Sequence, residues 1–319
     1  HTLGKTGKYI SWALYLFLFY CLTLAYIVGC GDLVAQLGAL PEWAGMIIFV
    51  SLFSPFIYLG ARVVGKLNIY LMAALGLFYC AFVFLGFRYV NSELLVPRNW
   101  SLSLLGLPVA FTAFAYQGII PTLVNYMHHD IAKTRKAILI GSFIPLLAYT
   151  VWQWLILGII PVEGQNGLIA ALDKGQNAVY PLKHFINSPW VYIVGQFFAF
   201  FALITSFFGV TLGLLDFLAD GFKLEKTQWN KLLLTFLIVL PPLCFALIYP
   251  HLFLIALDYA GGYGCAILLG LIPILMVWRG RYQLGLNSPY ALPGGKPVLI
   301  GLMLFVLFEL ACQIAVNFP

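Results

Sequence analysis

Charged residues are scarce in this sequence, and that scarcity excludes most classes of soluble protein. Only 9% of the 319 residues are Asp, Glu, Lys or Arg, whereas 62% are hydrophobic. A soluble domain carries about 25% charged residues. The composition therefore predicts a multi-spanning membrane protein embedded in a lipid bilayer. The few basic residues form no single patch, so we expect no nucleic-acid partner.

Motifs that would mark an enzyme or a primary pump are also missing. No CxxC pair occurs and no cysteine–histidine spacing suits zinc, so we expect no metal and no cofactor. Neither a Walker loop nor a GxSxG elbow is present. His128 and His129 form a pair, and a membrane-embedded enzyme using them is one alternative. Lys133 follows closely, however, and cationic groups at a helix end complement the helix dipole.

Apolar windows of roughly 20 residues mark the membrane spans. We identify nine, with no separate soluble domain, so the sequence predicts an all-α membrane protein with a single transmembrane domain over 1–319. The predicted spans are 9–33, 43–62, 68–89, 105–127, 137–160, 189–217, 231–249, 252–278 and 297–317. If the N-terminus is cytoplasmic, all but four of the 17 Lys and Arg residues lie on the cytoplasmic side. This bias is typical of the positive-inside rule.

The fourth predicted span, 105–127, is long enough to cross a bilayer but poorly suited to one continuous helix. Pro108 lies near its start and Pro121 past its middle, with polar Thr112 and Gln117 between them. Proline removes a backbone donor and clashes with the preceding turn. In lipid, each freed backbone group needs another partner. The pattern is typical either of a helix split around a substrate cavity or of a kinked packing helix.

Polar groups inside the other spans are candidates for ion coupling, because burying them in a membrane is costly. Thr205 and Ser206 are adjacent in the sixth span, and their oxygens suit a cation or a bond to their own helix carbonyls. Asp216, nearer the cytoplasmic end, is compatible with a gate, a proton relay or a helix-end contact. Asp258 is compatible with the outer vestibule. Glu309 lies in the middle of the last span, where the sequence assigns it no pathway.

Long collinear stretches resemble the bacterial tyrosine and tryptophan permeases, the hydroxy and aromatic amino acid permease family of the amino acid-polyamine-organocation superfamily. The resemblance is densest at 111–158, 205–220 and 240–250, and 17–33 is similar to the family's third span. It implies a leucine-transporter-type inverted-repeat fold in which helices one and six are broken at the substrate. The segment 105–127 would be helix six, and the nine spans would be helices three to eleven. Relative to the family, this sequence is expected to be N-terminally incomplete, lacking helices one and two.

The same resemblance implies the function and the site. We expect a multi-pass transporter of the bacterial inner membrane that imports tyrosine, tryptophan or phenylalanine by proton symport with alternating access. A sodium-coupled neutral amino acid transporter is the main alternative, and a sensor that binds without transport is another. The unwound amides of helix six would suit a carboxylate. The residues expected to bind substrate are Phe114, Ala115, Tyr116 and Gln117 on helix six and Tyr20, Thr23 and Tyr26 on helix three. The residues expected to couple the ion are Thr205, Ser206 and Asp216.

Overall fold

The computed structural model describes residues 2–96, 103–104, 106–116, 120–174, 176–225, 227–249, 252–286 and 294–317. Within these ranges the regular secondary structure is entirely helical. Eight helices in the described part of the chain are long and apolar enough to cross a membrane. The predicted class, an all-α membrane protein, is therefore confirmed. The inverted-repeat topology and the single-domain assignment stay predictions.

The long helices follow the predicted spans to within a few residues, because apolar runs of this length form helices in lipid. In chain order the elements are α1 (Gly4–Gly38), α2 (Glu42–Leu59), α3 (Ala61–Gly86), α4 (Leu107–Ala113), α5 (Ile120–Tyr126), α6 (Ile131–Ile159), α7 (Leu168–Asp173), α8 (Leu182–Phe185), α9 (Pro189–Phe222), α10 (Gln228–Ile248), α11 (Leu252–Tyr259), a π-helix (Ala260–Leu271), α12 (Ile272–Tyr282) and α13 (Gly295–Asn317). Short 3-10 turns cover Phe87–Tyr89 and Ser92–Leu95.

The fourth predicted span consists of two short helices, α4 and α5, of seven residues each. Between them, Phe114, Ala115 and Tyr116 are not helical. Pro108 lies in the first turn of α4, where a missing backbone N–H is no loss. The predicted break is therefore confirmed at Phe114–Tyr116, whereas Gln117 lies outside the described residues.

Other helices run through their prolines without ending. Pro241 and Pro242 lie inside α10, and Pro241 has no amide to donate to the carbonyl of Leu237, four residues earlier. The Tyr20 hydroxyl donates to that carbonyl at 2.8 Å. A side chain of α1 thus replaces the donor that proline removes from α10.

The chain folds as two compact units, of which the first contains His1–Leu18, Asn99–Tyr149 and Asp258–Pro319. In this unit the π-helix packs against α4, α12 and α13. Its buried core is formed by Ala266, Ile274, Leu299 and Val306. The broken span and the π-helix therefore belong to one packed body.

The second unit contains Phe19–Arg98 and Thr150–Leu257. Here α9 packs along α3, and α10 packs along α2. The Phe78 ring stacks on the Phe197 and Phe201 rings, with centroids 5.2 Å and 5.4 Å apart. In lipid, close packing of this kind holds helices together, because the tails are as apolar as the side chains.

Replacing Tyr20 with Phe should reduce stability by about 1 kcal/mol, because the Leu237 carbonyl loses its donor. In a Pro241→Ala background the restored amide at position 241 satisfies the same carbonyl, so Tyr20→Phe should have a smaller effect. A double-mutant cycle on thermal unfolding in detergent measures the difference. Equal losses in the two backgrounds would show that Tyr20 does not compensate for the proline.

Candidate functional site

The end of α4 is held by a tyrosine of α6. Ala113 is the last residue of α4, so its carbonyl has no donor within that helix. The Tyr149 hydroxyl donates to this carbonyl at 3.2 Å. The Tyr149 ring also meets the Phe114 ring edge to face, with centroids 5.5 Å apart and planes at 76°. Tyr149 therefore supplies the missing donor to the Ala113 carbonyl and orients the ring of Phe114, the first aromatic side chain of the break.

Tyr116, the second aromatic residue of the break, is anchored through its hydroxyl. The hydroxyl lies 2.8 Å from Ser142 Oγ, and Ser142 Oγ donates to the Ile138 carbonyl at 2.9 Å. Since the serine proton is used in that bond, the tyrosine is the donor to the serine. Tyr116 remains 37% exposed, so its ring is held at the hydroxyl end and part of the residue stays accessible.

The backbone amides of the break are already engaged. The Ala115 N–H donates to the Thr112 carbonyl at 3.0 Å, and the Tyr116 N–H donates to the Phe114 carbonyl at 2.9 Å. These two amides are therefore not free for a substrate carboxylate. The expectation that unwound amides of helix six bind the carboxylate stays a prediction. In the described part of the break, the side chains that a ligand could contact are the aromatic rings of Phe114 and Tyr116.

Two adjacent glycines of the π-helix lie against the broken span and the last helix. A Cβ on Gly261 would lie 1.6 Å from Thr112 Oγ1 and 2.7 Å from Thr112 Cβ. A Cβ on Gly262 would lie 2.1 Å from the carboxamide carbon of Gln313. The π-helix is 12 residues long, whereas π-helical geometry is usually a single turn and often marks a functional region. Glycine at position 261 is what allows α4 to approach the π-helix so closely, whereas the atoms nearest Gly262 belong to the flexible side chain of Gln313.

The predicted substrate residues of α1 lie in the second unit from Phe19 onward. Tyr20 donates to the Leu237 carbonyl. Thr23 is fully buried, and its hydroxyl donates to the Phe19 carbonyl at 2.7 Å. Tyr26 is half-buried on the same helix. The hydroxyls of Tyr20 and Thr23 therefore have structural partners, and a substrate role for the three residues stays a prediction.

The predicted coupling residues all lie on α9. The Thr205 hydroxyl donates to the carbonyls of Phe201 and Ala202 at 2.9 Å and 3.0 Å, the helix-bonded arrangement that the sequence left open. Ser206 is half-buried beside it, and Asp216 is exposed. Their role in coupling stays a prediction.

His128 and His129 form the turn that follows α5. Both have left-handed backbone, with φ of 52° and 62°, and both side chains are exposed. Asp130 then caps α6 by accepting the Lys133 N–H at 3.0 Å, and it pairs with Lys133 Nζ at 3.1 Å. The bond from the Lys133 amide, followed by that from the Lys133 side chain, lowers the pKa of Asp130. This segment has the geometry of a helix-to-helix turn.

Comparison with known proteins decides the class of the molecule. The model of the tryptophan/tyrosine permease family matches residues 1–313. The chain belongs to this family. The permease is accordingly a multi-pass protein of the bacterial inner membrane and not an enzyme, so the histidine pair has no catalytic role.

The permease is similar to several transport proteins of Haemophilus influenzae. It is 34% identical to tyrosine-specific transport system 1, over 93% of this chain and 75% of the relative. It is 32% identical to tyrosine-specific transport system 2, with the same coverage. It is 28% identical to the tryptophan-specific transport protein, over 99% of this chain and 79% of the relative. No solved structure matches the permease.

Replacing Asp130 with Ala should lower the melting temperature, whereas Asn should retain most of it because Asn also caps helices well. The folded-state pKa of Asp130 lies below its ordinary value, so the stabilisation is present above that ordinary pKa and lost as pH falls through the folded one. The difference between wild type and Asp130→Ala should therefore shrink below about pH 4. Thermal unfolding in detergent across this pH range measures it; a difference independent of pH would contradict the stabilisation by the ionised carboxylate.

Replacing Gly261 with Ala should strongly impair folding or transport, since the new methyl group overlaps the Thr112 side chain close to its backbone. Gly209 on α9 is a matched control, because a Cβ there meets nothing within 4 Å in the described structure. Gly209→Ala should leave the permease unchanged or slightly more stable, as Ala is the better helix former. Yield, melting temperature and substrate uptake of the two variants should diverge, and equal behaviour would contradict the tight packing at Gly261.

Proposed function

We propose that the permease imports aromatic amino acids, tyrosine or tryptophan, across the bacterial inner membrane. The family match and the similarity to tyrosine- and tryptophan-specific transport proteins support this class of substrate. The observation that carries the proposal is the break at Phe114–Tyr116, which presents two aromatic side chains beside unwound backbone in a chain of this family. Transporters commonly hold their substrate at such a break.

In the proposed site, the rings of Phe114 and Tyr116 recognise the aromatic ring of the substrate. Tyr149 sets the orientation of Phe114, and Ser142 fixes the hydroxyl end of Tyr116. Rings held in this way can stack on a substrate ring without first losing rotamer freedom, which favours binding. The aliphatic side chain of alanine or leucine cannot make the same contact.

We further propose that transport proceeds by proton symport with alternating access. Phe114, Ala115 and Tyr116, which follow α4, are non-helical, and such residues can absorb the backbone rotation of a hinge. The contacts of Tyr149 and Ser142 with the break would transmit that movement to α6. The proton gradient is a driving force available across a bacterial inner membrane, and a sodium gradient is the alternative that the experiment must separate.

The full-length permease reconstituted in proteoliposomes tests the proposal. We expect labelled tyrosine or tryptophan to accumulate when the outside is more acidic, and we expect no accumulation under a sodium gradient alone. An uncoupler should abolish accumulation. Binding without any uptake or counterflow would contradict transport, and uncoupler-insensitive, sodium-driven uptake would contradict proton symport.

Replacing Phe114 with Ala should raise the KM for tyrosine or tryptophan about tenfold, because an aromatic contact and its buried area are lost. Phe143 on α6 is a matched control, since its side chain is 57% exposed on the first unit and the proposed site does not use it. Phe143→Ala should leave the KM close to that of wild type. Initial uptake rates over a substrate series measure both, and a KM unchanged by Phe114→Ala would remove Phe114 from the site.

A further inference from the structure

Glu309, in the middle of α13, is a buried acid with no hydrogen-bond partner among the residues that the structure describes. Its side chain is 0% exposed, and neither carboxylate oxygen has a hydrogen-bond partner in the described part of the chain. An ionised carboxylate is very unfavourable in such surroundings unless a charge compensates it. Ionisable residues inside membrane spans are rare and usually functional. Glu309 must therefore be neutralised by a bound proton or by another cation.

Gln313 extends this polar region by one turn of the same helix. Residues four apart lie on one helix face, and Gln313 is also 0% exposed. Its Nε2 donates to Asp258 Oδ2 at 2.8 Å, while its Oε1 has no partner in the described residues. Three unpartnered oxygens thus lie along one face of α13, next to a second carboxylate.

Among the described residues, no Lys, Arg or His on the elements packed against α13 forms an ion pair with Glu309. α4 carries no titratable side chain. Lys296, at the start of α13, is 13 residues away, or about 20 Å along the helix. The titratable or charged residues on α11, the π-helix and α12 within this unit are Asp258, Tyr259, Tyr263, Cys265, Arg279, Arg281 and Tyr282.

The π-helix connects this acidic region with the broken span. Gly261 lies against Thr112 of α4, and the next residue, Gly262, lies against Gln313. Thr112 is only two residues before Phe114, where the break begins. Because protein interiors are close-packed, a displacement of α4 cannot leave the surroundings of Gln313 unchanged. Within the first unit, directly packed residues therefore connect the proposed substrate site with the region around the buried acid.

We propose that Glu309 is the proton-binding residue of the permease, in a buried polar region that also contains Gln313 and Asp258. This inference rests on the proposed proton symport and assigns the residue that performs it. The Glu309 carboxylate accepts one proton from the outer side when substrate is bound. It releases that proton to the cytoplasm after the substrate has left, and no other bond forms or breaks.

Glu309→Gln tests the assignment, because glutamine has the shape of the protonated acid but cannot release a proton. The matched control is Glu93→Gln, the same change at an exposed position in the Ser92–Leu95 turn. Each full-length protein is reconstituted and given a gradient of about one pH unit, with the membrane potential clamped by potassium and valinomycin. Wild type and Glu93→Gln should accumulate tyrosine or tryptophan up to about tenfold.

Glu309→Gln should show no accumulation and a flat pH profile, yet should still exchange labelled for unlabelled substrate, because exchange needs no net proton release. If wild type and Glu309→Gln accumulate substrate equally, Glu309 is not the proton-binding residue. Sodium-driven accumulation that Glu309→Gln abolishes would overturn the proton as its cation. A wild type that neither binds nor exchanges aromatic amino acids would instead overturn the proposed function, and this inference with it.

Glu309→Asp keeps the test decisive if the glutamine variant does not fold. It retains a titratable carboxyl group on a shorter side chain, so coupled uptake should persist with a shifted pH dependence. Uptake with the wild-type pH profile would overturn the proposal.

Discussion

A backbone carbonyl freed inside a membrane has no water to bind, and this constraint explains much of the structure. Where α4 ends, the Tyr149 hydroxyl satisfies the carbonyl of Ala113. Where Pro241 deprives α10 of a donor, the Tyr20 hydroxyl satisfies the carbonyl of Leu237. Each tyrosine belongs to a different helix from the carbonyl to which it donates, so each hydrogen bond also holds two helices together. Breaks and prolines are therefore sites where tertiary contacts must form.

Glu309 is also a polar group inside the membrane that needs a partner, but the described residues do not supply one. Its oxygens have no donor in the described residues, although the π-helix that packs against α13 is close enough to α4 to require glycine at Gly261. A packing defect would be a poor explanation for an acid that is 0% exposed, because protein interiors are close-packed. A carboxyl group that alternately holds and releases a proton must change its charge, and no hydrogen bond from the described residues holds Glu309 in one charge state.

The sequence was sufficient to predict the membrane class, the positions of the spans and the break in 105–127, since apolar length and paired prolines act locally. The same proline argument, applied to Pro55, Pro145 and Pro241, would predict breaks that do not occur. The repair at Pro241 comes from a residue more than 200 positions away in the chain, and no local pattern reveals it.

The candidate site was predicted less completely than the fold. Phe114 and Tyr116 were predicted from the family resemblance, but the internal bonds of the Ala115 and Tyr116 amides were not, because they depend on how the chain turns after α4. The sequence placed Glu309 in mid-span without a role. The lack of a hydrogen-bond partner for its carboxylate among the described residues becomes evident only when α13, the π-helix and Asp258 are placed in the structure. The sequence feature that could have indicated this polar region is the pair Glu309 and Gln313, which are spaced by one helical turn in an apolar span.

The most direct test of the account is substrate protection of a cysteine placed at the break. Ala115→Cys, in a background with the six native cysteines replaced, is reacted with a membrane-permeant maleimide with and without amino acids. Tyrosine or tryptophan should slow the labelling of position 115 at concentrations near their KM, whereas alanine should have no effect. Labelling that is equally fast with and without aromatic amino acids would contradict the claim that Phe114–Tyr116 forms the substrate site.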